Sequence, residues 1–162
     1  MLTSAVLERL ANCVLIWLAT VDTDGMPSVS PKEIFAPEGD KTLLIANIAS
    51  SGSVKNLVQH PKACVSFVDV FVQRGFKLYG TVSLLETNAA DFATRAAQLL
   101  EMAGDRFPIR SMMVLEIERV VPIVAPRYAL YPDTTQVAQV ARAVAQYNRV
   151  LETFELTLKT QA

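Results

Sequence analysis

The residues best placed to do chemistry sit where an apolar run meets a short helix: Asn47, Ile48, Ser50, Ser51, Gly52, Ser53, Val54 and Lys55. The first backbone N–H groups of a helix have no partner inside it. Three serines, a glycine and a lysine at that point bring N–H groups, hydroxyls and a cation together. A cation in the first turn opposes the helix dipole by about 0.3–1 kcal/mol, and a bound anion reverses that sign. Phosphate binding is the chemistry on offer, with Ser50, Ser51, Ser53 and Lys55 as its groups. Serines also cap ordinary helices, and a plain capped helix stays open as the alternative. Neither a G-x-x-x-x-G-K-[ST] loop nor a G-x-G-x-x-G fingerprint is present.

Two other segments carry polar groups in suggestive places. In Ser28–Phe35, polar residues crowd around Pro31, which cannot donate to a ladder and so belongs at an edge or bulge. Irregular backbone at Ser30, Pro31, Lys32 and Glu33 leaves groups free to read the polar edge of a planar heterocycle. The alternative is a solvent-facing edge strand protected by Pro31 and Lys32. In Gln73–Gly80, Phe76, Leu78 and Gly80 fall on one strand face and Gln73, Gly75, Lys77 and Tyr79 on the other. Lys77 reaches a phosphate only if its strand neighbours the helix start; otherwise it lies on a solvated face.

No nucleophile–base pair emerges, so catalytic residues stay unknown. Glu116 and Glu118 are explained by alternation along a strand, His60 before Pro61 reads as a turn residue, and Trp17 reads as core. One histidine and two separated cysteines offer no zinc-ligand spacing. Cys13 and Cys64 are expected as reduced thiols in a cytoplasmic protein, with a disulfide between them as the open alternative.

The elements that must position these groups follow from periodicity. Residues 3–12 suit a short helix. Apolar, β-branched runs predict strands at Cys13–Val21, Pro27–Phe35, Thr42–Asn47, Ala63–Val70, Phe76–Leu85 and Met112–Val124. Asp22–Gly25 and Pro37–Asp40 supply hairpin turns, the first with Gly25 free to take a positive φ. A helix is expected over 88–103, with Phe92, Ala96, Leu99 and Ala103 at helical spacing. Asp133-x-x-Gln136 resembles a capping box. It opens a long helix marked by Val137, Val140, Val144, Leu151, Phe154 and Leu158. Six strands joined by short turns predict an α+β, mainly antiparallel domain closed as a barrel, with the last helix packed outside it or reaching a partner subunit.

Composition narrows the function classes. The 162 residues are 51% hydrophobic with a net charge of −1 and no polybasic run, so nothing favours nucleic acid. The apolar run from Leu10 to Val21 is too short to span a bilayer and follows Glu8 and Arg9. A cytoplasmic protein with no membrane partner is the expectation.

Three segments in order, Ser30–Phe35, Ala46–Leu57 and Gln73–Thr81, together with the His60-Pro61 turn before a core strand, resemble the pyridoxamine 5'-phosphate oxidase-like family of FMN-binding split β-barrels. The resemblance spans about residues 5–125 and leaves a helical extension at about 132–159, all in one FMN-binding domain, 1–162. It implies a six-stranded split barrel and a homodimer with FMN in clefts between subunits. By position, Ser30, Pro31, Lys32 and Glu33 would run along the isoalloxazine ring, and Asn47 and Ile48 would line the ribityl chain. Ser50, Ser51, Ser53, Val54 and Lys55 would surround the phosphate, with Lys77 in a secondary role. The chain departs from the family's vitamin B6 oxidases at Ser30 and Gly52, where those enzymes have arginines, and in lacking their C-terminal tryptophan and arginine. The resemblance therefore implies a flavin-dependent oxidoreductase of unknown substrate rather than a vitamin B6 oxidase. A non-catalytic FMN-binding or electron-carrier module and a deazaflavin-dependent reductase are the alternatives.

Overall fold

Strand order decides the shape. The computed structural model describes residues 1–161, with side chains through Phe154; Ala162 and the side chain of Leu158 lie outside the described residues. The strands are β1 (Ile16–Val21), β2 (Pro27–Lys32), β3 (Phe35–Glu38), β4 (Thr42–Asn47), β5 (Lys62–Asp69), β6 (Arg74–Glu86) and β7 (Ser111–Val124). The helices are α1 (Ser4–Ala11), α2 (Ser51–Gln59), α3 (Phe92–Arg95), α4 (Ala97–Ala103), α5 (Pro126–Leu130) and α6 (Gln136–Gln161). The strands form one antiparallel sheet in the order β2-β1-β5-β6-β7-β4-β3. Its two edge strands are joined by Glu33 and Ile34 alone. Three residue steps span at most about 11 Å, whereas the edges of a flat seven-stranded sheet would lie about 29 Å apart. The sheet must curl back on itself, which makes the fold the expected α+β barrel with flanking helices.

The curl gives the sheet an inside and, over part of its outside, a second core. Ile16, Leu18, Leu43, Ile45, Val65, Phe67, Leu78, Met113 and Leu115 fill the interior with Val6 and Leu10 of α1 and Leu57 of α2. On the opposite face of β4 and β7, Leu44, Ala46, Met112 and Val114 are covered by Phe92, Ala96 and Leu99. This accounts for β4 being apolar without alternation: both of its faces are buried.

Several boundaries differ from expectation, each for a physical reason. There are seven strands, not six, because the run Pro27–Phe35 breaks after Lys32. Phe35 then starts β3 on the other sheet edge, and the Ile34 carbonyl accepts the Ala46 N–H at 3.0 Å. β1 begins at Ile16 and alternates, leaving Trp17 45% exposed on the outer face instead of in the core. The helix expected over 88–103 splits into α3 and α4 at Ala96. The cap of α6 is Thr135, whose hydroxyl accepts the Ala138 N–H at 3.1 Å, and not Asp133.

Two glycines meet specific needs. Gly25 takes φ 80 in the β1–β2 turn, where Asp22 Oδ1 accepts the N–H groups of Asp24 and Met26 at 3.0 and 2.8 Å. Gly80 sits at a register shift in the β6–β7 ladder, where a Cβ would strike the Glu116 carbonyl.

Candidate functional site

The curl brings the end of β2 against the end of β4 and the start of α2. Asn47, the last residue of β4, organises the junction. Its Oδ1 accepts the Ser50 N–H at 3.1 Å, its Nδ2 donates to Ser111 Oγ at 2.9 Å, and its carbonyl accepts the Arg110 N–H at 2.8 Å. One buried amide thereby fixes the β4–α2 turn and the loop entering β7. From β2, Lys32 Nζ donates to Ser50 Oγ, and Ser30 Oγ lies 3.0 Å from Ser53 Oγ. The other end of α2 is tied to β1 by the Asn56 amide, which donates to Thr20 Oγ1 at 3.0 Å.

These ties leave a groove of two joined hollows that share Ile48 and Ser50. The first, about 200 Å³, has an apolar wall of Pro31, Ile34, Ala46, Ile48 and Phe107, with Lys32 and Glu33 beside it. The second, about 430 Å³, is bounded by Asn47, Ser50, Ser51, Val54, Lys55 and Arg110. Here α2 begins with no side-chain cap, and its first intrahelical bond runs from the Val54 N–H to the Ser50 carbonyl at 3.0 Å. Among the described residues, the N–H groups of Ser51, Gly52 and Ser53 therefore have no acceptor. A Cβ added at Gly52 would meet nothing within 4 Å, so the backbone there is open to approach.

The charge pattern points the same way. Lys32 is only 6% exposed, and among the described residues its one hydrogen-bond partner is a neutral hydroxyl and it forms no ion pair. Burial pushes its ammonium below its ordinary value, because removing a cation from water costs free energy unless a negative charge faces it. Lys55 and Arg110 add two more cations at the margin, while the lining contains a single carboxylate, Glu33. The site combines an apolar wall with unpaired N–H groups and three cations.

The structure brings together Pro31, Lys32, Glu33, Asn47, Ile48, Ser50, Ser51, Val54 and Lys55 along the groove. Ser30 and Ser53 stand behind its lining, bonded to each other. Lys77 stands apart: it pairs with Ser66 on β5, which pairs with Trp17 on β1, which pairs with Pro31 on β2. Two strands thus separate Lys77 from β2, on the outer face. Arg110 and Phe107 were not apparent from the sequence, since they enter from a loop more than fifty residues away from the helix start. The only local hint is Pro108, which ends helix before the final strand.

A family model described as pyridoxamine 5'-phosphate oxidase matches residues 2–123, a span that includes the whole groove. The chain belongs to this family. Among solved structures, HupZ of Group A Streptococcus is 23% identical, with a TM-score of 0.67 over 77% of this chain and 96% of that one. An FMN-binding protein from Syntrophomonas wolfei is 20% identical, with a TM-score of 0.61 over 73% of this chain and 86% of that one. HutZ, a heme storage protein from Vibrio cholerae, is 21% identical, with a TM-score of 0.58 over 76% of this chain and 94% of that one. At these identities the likeness is one of fold. No curated protein matches the chain.

Proposed function

We propose that this member of the pyridoxamine 5'-phosphate oxidase family is an FMN-binding flavoprotein and acts as a flavin-dependent oxidoreductase. The observation that carries the reading is the continuity of an apolar wall with an uncapped helix start flanked by Lys55 and Arg110. That shape fits a molecule with a planar aromatic head and a phosphate tail. The N–H groups of Ser51–Ser53, the Ser50 and Ser51 hydroxyls and the cations would hold the phosphate. Asn47 and Ile48 would line the chain between the two ends, and the Pro31–Glu33 backbone would run along the ring. Ser30 and Ser53 act through their mutual hydrogen bond, fixing α2 against β2. FMN held there would supply the electron transfer. Lys32 contributes a buried positive charge beside the wall, favouring negative charge that develops there.

Both hollows open outward, and a second copy of the chain would close them. Trp17 and Val29 leave apolar surface exposed on the outer face of β1 and β2, next to the groove, which supports a homodimer through that face. Lys77 shares this face, so any role it has in the site runs across the dimer.

The absorption spectrum of the purified protein tests the reading. Bands near those of free FMN, with FMN released on denaturation, are expected, as is uptake of added FMN by the stripped protein at micromolar concentration. No uptake would overturn it. A heme spectrum would point to the chemistry of the Vibrio relative. The single histidine, His60, caps the far end of α2, about 14 Å of helix from the cradle, and gives that outcome no ligand in the groove. A deazaflavin band near 420 nm would replace FMN by its larger relative. Reduction by NAD(P)H followed by turnover of an oxidant separates an enzyme from a carrier.

A further inference from the structure

A third hollow, of about 300 Å³, lies on the side of the molecule where α6 crosses the β5–β6 turn. Gln139, Arg142, Gln146 and Arg149 line it from one face of α6, at helical spacing. Arg127 of α5 and Gln73 of the turn complete it. Three guanidinium groups thus share one small space with no carboxylate in its lining. Among the described residues, none of the three forms an ion pair.

Two buried atoms in this hollow lack hydrogen-bond partners: Arg127 Nε and Gln139 Oε1. Gln139 is only 3% exposed, and an unpaired buried acceptor costs about 1–3 kcal/mol. Arg127 lies over the Tyr131 ring at 5.0 Å, and stacking on a face leaves the in-plane N–H groups free to donate. Gln73 holds φ 56, the only positive φ at a non-glycine among the described residues. Its carbonyl accepts the Ala125 N–H at 3.1 Å, which fastens the turn to the start of α5. Converging cations, an orphaned donor, an orphaned acceptor and a backbone held out of its preferred region together describe a recess shaped for something else.

The chemistry of that ligand follows from the two orphans. It must be anionic, to satisfy three arginines, and it must also donate one hydrogen bond, to Gln139 Oε1. A carboxylate group only accepts, so a carboxylate ligand would need a separate hydroxyl. Its single charge and two oxygens match three guanidinium groups less well than a phosphate dianion does. A phosphate monoester beside three guanidinium groups is held as its dianion, so it accepts through its oxygens and donates through a hydroxyl on its organic part. The volume is roughly that of ten waters, enough for a phosphate and a short polyol. We propose that the hollow between α6 and the β5–β6 turn binds a small hydroxylated phosphate monoester. The inference is independent of what occupies the groove at α2.

Calorimetric titration with glycerol 3-phosphate, at ionic strength fixed with sodium chloride, tests it. Saturable one-to-one binding is expected in the intact protein. Arg142 and Arg149 are exposed on a helix, so Arg142→Gln/Arg149→Gln retains the fold, checked by circular dichroism and urea unfolding. That variant is expected to bind about tenfold more weakly or worse. Lys55→Glu, at the other cradle, is expected to bind glycerol 3-phosphate as the wild type does. The proposal is overturned by absence of saturable heat, by equal affinity in the double arginine variant, or by loss of binding in Lys55→Glu. Equally tight binding of succinate would overturn the phosphate assignment, and binding of heparin through the same arginines without glycerol 3-phosphate would replace the small ligand by a polyanion.

Discussion

Lys32 is a cation that the fold has taken almost out of water, with a serine hydroxyl for company. Because its pKa is lowered by burial, the unfolded chain binds the extra proton over the interval between the folded and ordinary values. Stability of the flavin-free protein therefore rises with pH across that interval. Lys32→Met should abolish the rise and leave the flavin-free fold as stable or more so, while weakening FMN binding; pH-dependent urea melts and FMN titrations check the two halves. An unaltered alkaline rise in the variant would mean that Lys32 is not its source. Lys55 differs: it is exposed, so Lys55→Glu should keep the melting temperature and weaken FMN affinity roughly tenfold or more. Fluorescence quenching of added FMN measures this, and an unchanged Kd removes Lys55 from the phosphate site. The difference between these lysines also shows what sequence can carry. Lys55 and the serines were legible because a helix start is local. The burial of Lys32 was not, because it depends on Ser50 arriving from across the curl, and Arg110 depends on a loop remote in sequence.

Among the elements, α3 is a single turn, too short to persist unaided. It is held by Phe92 in the second core and by Arg95, which donates from Nε and Nη2 to the two oxygens of Glu38 on β3 at 2.9 and 2.5 Å. This fork holds the Glu38 carboxyl below the usual carboxylate range. A carboxylate with a lowered pKa contributes stability that is present above its unfolded pKa and disappears as pH falls through the folded one. The pair is about one-third exposed, which limits it to about 1 kcal/mol or less. Glu38→Gln should lower stability near neutrality by that amount and make little difference in acid strong enough to protonate the folded carboxyl. Parallel curves for variant and wild type across the acid range would remove the pair from the balance. Element types were readable from period and turn chemistry, as at β4, β7 and the Gly25 hairpin. Breaks were not: the apolar pattern runs through Ala96 and through Ile34, and only tertiary packing says where the chain turns.

For the whole molecule, the outward-facing row Pro31–Trp17–Ser66–Lys77, exposed except at half-buried Ser66, is the broadest clue to assembly. The apolar run of β1 announced burial, and half of it is buried only if another surface covers it. For the proposed homodimer, wild-type protein should sediment as a dimer and Trp17→Glu as a monomer in analytical ultracentrifugation, with lower flavin affinity at the same time. A variant that remains dimeric would move the interface elsewhere. The way the sheet ends bears on a different hazard. Unpaired strand edges invite other chains to add on, which is how fibrils grow. Both edges here are interrupted by residues that have no N–H to offer: Pro27 and Pro31 on β2, and Pro37 on β3. A strand from another molecule would find gaps in its hydrogen-bond template on either side. Copies of this chain are thus steered to meet through side chains on their faces, leaving the backbone margins resistant to polymerisation.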